Sequence, residues 1–177
     1  MKLKIVPNRP KVLIVGGSFS GLAAARHLKK SADVILIEPR DYFEYTPGIL
    51  HVCVGSKNSI DHIMSPISTV AQDCDIKRGI FVGCRPELKE AVFYPISDEG
   101  KSTESMPITI KFDAIIIATG SPYSVPIKPS IDSFSLQNRV SELKQFDETI
   151  TNSKNVVITG GGLVGKQVES KPTIKLQ

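Results

Sequence analysis

With 177 residues, 41% of them hydrophobic and 23% charged, the chain has room for one domain or one and a fraction, not for two complete domains. That balance belongs to folded globular proteins and excludes disordered, collagen-like and coiled-coil classes. A net charge of +4 arises from 22 basic and 18 acidic residues scattered along the chain, so it reads as a solvated surface with no nucleic-acid partner.

Apolar runs such as Val12–Val15 and Ala114–Ala118 fall far short of the roughly 18 residues of a membrane span, so no transmembrane segment is expected. Met1–Pro7 meets Asn8, Arg9 and Pro10 before a signal-peptide core could develop, and secretion is not expected either. Cys53, Cys74 and Cys84 are odd in number and form no C-x-x-C pair, which suits reduced, structural thiols in a reducing compartment.

The first element is a strand, Lys11–Val15, ended by Gly16 and Gly17. Helix formers then run from about Ser20 to Lys30, with basic residues in the last turn, where they suit the helix dipole. Asp33–Glu38 is a second buried strand, and the resulting β-α-β unit predicts a doubly wound parallel sheet. From Asp41 to Gln72 the pattern gives a loop with Pro47 and Gly48, then a short helix over 60–70 that Pro66 must interrupt or kink.

Ile76–Val82 and Ala91–Tyr94 alternate around the turn-like Cys84-Arg85-Pro86-Glu87, which predicts an antiparallel hairpin. A polar loop at Ser97–Ser105 leads into a strand at Ile108–Phe112. Asp113–Gly120 is apolar on both alternating faces and is expected to be a buried parallel strand. Three prolines stiffen Ser121–Ser130, and Val140, Leu143, Phe146 and Ile150 place one apolar stripe on a helix over 136–150.

Asn155–Gly165 repeats the device of Lys11–Gly21: strand, glycine cluster, helix start. Gly160, Gly162 and Gly165 complete G-x-G-x-x-G, whereas Ser18 holds the middle place between Gly16 and Gly21. In such a device the glycines allow a tight turn, a close approach of backbone to a pyrophosphate, and close helix–strand packing, with the diphosphate on the helix N-terminus. The first copy is followed about 20 residues on by Glu38 at a strand end, where an acid binds ribose hydroxyls. The second copy meets Pro172 within a few residues and has no comparable strand or acid, so it is not expected to work as a second site.

Val15–Ala24, Glu38, Tyr42–Pro47, Ala118–Gly120 and the second Gly160–Gly165 cluster together resemble the pyridine nucleotide-disulphide oxidoreductase superfamily of flavoproteins. Within it the chain is most similar to the N-terminal part of type II NADH:quinone oxidoreductases and of the ferroptosis-suppressor, apoptosis-inducing-factor-like branch. The resemblance implies an α/β, doubly wound, Rossmann-like FAD-binding domain over 1–121 with a small antiparallel insertion. A connector with a helix over 122–154 and the truncated start of an NAD(P)H-binding domain over 155–177 would follow.

FAD would be held by Gly16, Gly17, Ser18, Phe19, Ser20 and Gly21, with the adenosine ribose on Glu38, Arg40 nearby, Val82 beside the adenine, and Ala118, Thr119 and Gly120 passing the cofactor. Gly160, Gly162 and Gly165 would be a vestigial NAD(P)H site, and full-length relatives would pass electrons to a quinone-type acceptor. The expected protein is cytoplasmic, or peripheral on a membrane in full-length relatives. No catalytic residue and no metal ligand is assigned: His27 reads as a surface or packing residue, His51 and His62 would flank the region near the expected flavin, and Tyr42, Phe43 and Tyr45 read as core or cofactor-packing aromatics.

Two other readings stand beside this one. The chain could be a non-enzymatic truncated isoform or gene fragment that at most binds FAD, and Cys53 invites comparison with sulfide:quinone oxidoreductases.

Overall fold

The computed structural model describes residues 9–53, 60–97, 106–131, 133–162 and 164–166. The polar loop beyond residue 97, the Cys53 side chain and the tail with Pro172 lie outside the described residues. The chain forms two compact units, residues 1–41 with 67–120 and residues 42–66 with 121–177.

In chain order the elements begin with β1 (Lys11–Val15), α1 (Phe19–Leu28), β2 (Asp33–Glu38) and β3 (Tyr42–Glu44). Short pieces follow, α2 (Ile49–Cys53), α3 (Ile60–Ile63), β4 (Met64–Pro66) and α4 (Ile67–Val70). The remaining strands are β5 (Asp75–Arg85), β6 (Glu90–Pro95), β7 (Ile108–Lys111) and β8 (Ala114–Ile117), and the last long helix is α5 (Leu136–Asn152).

The first unit is built on a sheet of order β7-β6-β5-β2-β1-β8. β1 runs parallel to β2, with Val15 opposite Ile37, and parallel to β8, with Val15 opposite Ile117. β5 has two roles: Asp75–Arg78 pairs in parallel with the end of β2, and Gly79–Arg85 turns back against β6 as the antiparallel insertion. The expected hairpin thus forms, and its turn falls at Pro86–Leu88, with Lys89 in the left-handed region.

Leu13, Val15 and Ile37 pack with Ala91, Phe93 and Phe112 into one apolar cluster. Each fully buried aliphatic side chain of this kind contributes roughly 1.5–3 kcal/mol, so the unbroken apolar run of β1 is itself a large share of the stability.

The second unit joins β3 and β4 as an antiparallel ribbon, Phe43 opposite Ser65, beside α2, α3 and α5. Ile49, Val52, Ile60, Ile63, Met64 and Leu143 form its core, with Val140 and Phe146 packed against it. Ile150, the fourth residue of the expected stripe, is half-buried and outside that cluster. Ser135 caps α5, its hydroxyl accepting from the Asn138 N–H at 3.1 Å.

The helix over 60–70 is interrupted around Pro66 as expected: the extended β4 separates α3 from α4, because proline disfavours helical geometry in the residue before it. Two local expectations are corrected. β8 is not buried: Ala114 and Ile117 are exposed, since the strand pairs only with β1 among the described residues. Residues 155–159 form no strand, and Val157 is 84% exposed, because an extended segment without a hydrogen-bonded neighbour gains no ladder.

Candidate functional site

The site grows from the C-terminal end of β1. Gly16 has φ +107, a conformation that side-chain-bearing residues rarely adopt, and a Cβ there would overlap the Ala118 carbonyl at the end of β8. Its N–H donates to the Ile37 carbonyl at 2.9 Å, which ties the turn to the end of β2. A Cβ at Gly21 would overlap the Gly16 carbonyl oxygen, so only glycine lets α1 pack this closely on the strand end.

Ser18 is the N-cap of α1, with extended backbone and no side-chain cap bond, and the first turn carries no acidic residue. Among the described residues no side chain caps this helix end, whose dipole favours negative charge.

Glu38 closes the other side. It is buried, its Oε2 accepts from the Gly17 N–H at 2.6 Å and its Oε1 from the Arg40 N–H at 3.0 Å. Each carboxylate oxygen has a second lone-pair direction, so two backbone donors hold the group in place without exhausting it as an acceptor. A cavity of about 200 Å³ lies here, lined by Gly16, Glu38, Pro39, Arg40, Phe81 and Thr119 among others.

Of the residues expected from the sequence, Gly16, Glu38, Arg40 and Thr119 come together on that cavity. Gly17 and Gly21 are buried in the turn, Ser18 is half-buried, and Phe19 and Ser20 are exposed on the first turn of α1. Val82 lies one residue beyond the lining segment Gly79–Phe81 and is 58% exposed. Ala118 is half-buried, its N–H bonded to the Val15 carbonyl at 2.8 Å, and Gly120 has φ +74.

Sequence reasoning missed Pro39, Ile80, Phe81 and Arg78. The Arg78 guanidinium, from Nε and Nη2, donates to the Pro39 carbonyl at 3.2 and 3.1 Å. A basic residue in a half-exposed strand carries no signal of that contact.

The second glycine cluster repeats the turn. Gly160 has φ +106, a Cβ at Gly165 would overlap the Gly160 carbonyl oxygen, and Lys166 N–H donates to the Gly162 carbonyl at 3.0 Å, as Leu22 does to Ser18 at 2.9 Å. The turn geometry is thus local to the peptide, present without a paired strand behind it.

His27, His51 and His62 are exposed. Cys74 and Cys84 are free and half-buried, and burial, helped by the Asp73 charge, pushes the Cys74 thiol up, away from the thiolate that nucleophilic chemistry needs. Among the described residues no three His, Cys, Asp or Glu gather as a metal site, and no helix is long and apolar enough to cross a membrane.

The chain is similar to ferroptosis suppressor protein 1 of Xenopus laevis, 28% identical over 94% of this chain and 41% of that protein. It is also similar to the demethylphylloquinone reductase NdbB of Synechocystis, 26% identical over 92% of this chain and 43% of NdbB. The fold matches NDH2 of Plasmodium falciparum with a TM-score of 0.66 at 18% identity, covering 92% of this chain and 36% of NDH2. The chain therefore spans less than half the length of each. The pyridine nucleotide-disulphide oxidoreductase family model matches residues 10–170, and the chain belongs to that family.

Proposed function

We propose that this chain binds FAD, with the diphosphate at Gly16–Gly21 over the N-terminus of α1 and the adenosine ribose on Glu38. Arg40, Val82, Ala118, Thr119 and Gly120 would border the cofactor, and residues 1–121 would act as the FAD-binding domain. Residues 122–154 would connect to the opening of an NAD(P)H-binding domain at 155–177, with Gly160, Gly162 and Gly165 in its phosphate turn. The protein as a whole would serve NAD(P)H-dependent reduction of a quinone-type acceptor; the similarity to a protein named demethylphylloquinone reductase supports that choice.

The observation that carries the reading is the Glu38 carboxylate, fixed by two backbone N–H groups on a cavity beside an uncapped helix N-terminus. The glycine turn leaves room for an approaching pyrophosphate, and the carboxylate offers acceptors to ribose hydroxyls. A bound flavin supplies the ring that takes hydride from reduced nicotinamide and yields two electrons to a quinone, which takes up two protons.

The chain's own residues bind and orient. Hydride transfer from nicotinamide to flavin needs orientation more than a protein proton donor, and none of the three histidines lines the cavity. The test is the visible absorption spectrum of the purified chain, before and after incubation with FAD. Flavin bands that co-elute with the protein are expected; a colourless protein that retains no added FAD overturns the proposal.

A further inference from the structure

Glu38 and Arg78 stand opposite each other in the register of β2 and β5, yet they form no ion pair. The guanidinium instead places two donors, Nε and Nη2, on the Pro39 carbonyl at 3.2 and 3.1 Å. Pro39 is the residue between the acid and Arg40, whose N–H donates to Glu38 Oε1. Pinning the Pro39 carbonyl fixes the plane of the Pro39–Arg40 peptide, because carbonyl and N–H of one peptide unit are coplanar and point in opposite directions. A direct salt bridge would instead have occupied the oxygens that a ribose needs.

We propose that Arg78 is a positioning residue for the adenosine-ribose contact: it acts through the Pro39–Arg40 peptide to hold Glu38 as a hydroxyl acceptor, and touches no ligand itself. The proposal rests on the FAD reading above. Its signature is selectivity. A residue that only stabilises the strand would weaken every nucleotide alike, whereas loss of Glu38 alignment removes the preference for a ribose over a 2′-deoxyribose.

The experiment is calorimetric titration of the full chain with ADP and with 2′-deoxy-ADP, for the wild type, Arg78→Met and Arg78→Lys. A hydrogen bond to a charged acceptor is worth roughly a ten- to hundredfold in affinity, so the wild type should prefer ADP by about that factor. Both variants should narrow the ratio to less than about threefold, since a lysine ammonium keeps the charge but not the planar fork that grips one carbonyl with two donors. Should Arg78→Met fail to fold, Arg78→Lys decides. A wild-type ratio in the folded variants overturns the role of Arg78 and leaves the FAD reading intact; a wild type that binds ADP without preference, or binds neither nucleotide, overturns both.

Discussion

Arg139 shows how much a single side chain can hide. Its guanidinium is fully buried, with Nε donating to Glu44 Oε2 at 2.7 Å, Nη1 to Glu142 Oε2 at 2.6 Å and Nη2 to the Pro126 carbonyl at 2.6 Å. Burial works against the charge, but the hydrogen bonds and charges of Glu44 and then Glu142 outweigh it and hold the pKa above its ordinary value. The helical period marks the apolar stripe of α5 and gives no hint of this arginine, because a charged residue beside the stripe reads as a solvated face. Removing Glu44 leaves Glu142 as the one remaining carboxylate on the buried guanidinium and strips Nε of its acceptor, so Glu44→Ala should destabilise by about 1–3 kcal/mol in equilibrium urea unfolding. Replacing both members, as in Glu44→Leu with Arg139→Met, should lose less than the two single changes together; a loss equal to their sum would show that the two act independently.

The two glycine turns allow one local geometry to be compared in two contexts. At both Gly21 and Gly165 a Cβ would overlap the carbonyl oxygen of the turn's first glycine. Behind Gly21 stand β1, β2 and β8 in register, whereas the segment before Gly160 forms no strand among the described residues. Gly21→Ala must push α1 off a packed sheet and should lower stability by about 2 kcal/mol or more, with loss of FAD retention. Gly165→Ala strains only its own turn and should leave the unfolding midpoint nearly unchanged. Thermal unfolding of the two variants side by side checks this, and equal losses would mean that residues 155–165 carry cooperative structure.

The same contrast explains what was legible in the sequence. β1 and β2 match their expected ranges residue for residue because a short β-branched run bounded by glycine carries its own signal, and α1 follows from the glycine turn. β3 and α2 were hidden in a proline-containing stretch, since β3 gains its definition from Met64–Pro66, distant in sequence. At the site, the glycines and Glu38 were legible as a spaced motif, but Arg78 and Pro39 were not, because their contact depends on the register of β2 with β5.

At the scale of the whole molecule, β8 is where sequence pattern and surroundings disagree. Ala114–Ile117 is uniformly apolar, the pattern of a strand buried on both faces and paired on both edges. It pairs with β1 alone among the described residues, and Ile117 is 55% exposed. Natural edge strands are blunted by lysine, proline, bulges or inward charge, and within Ala114–Ile117 none of these is present. The nearest charge, Asp113, is engaged with the Lys11 N–H at 2.8 Å, at the start of the strand rather than along its edge. An unprotected apolar edge recruits other strands, so the purified 177-residue chain should self-associate as its concentration rises. Ile117→Lys places a charge on that edge and should shift sedimentation toward the monomer while leaving the far-ultraviolet circular dichroism unchanged. A wild-type chain that stays monomeric across the concentration range would mean the edge is protected by something other than the described residues.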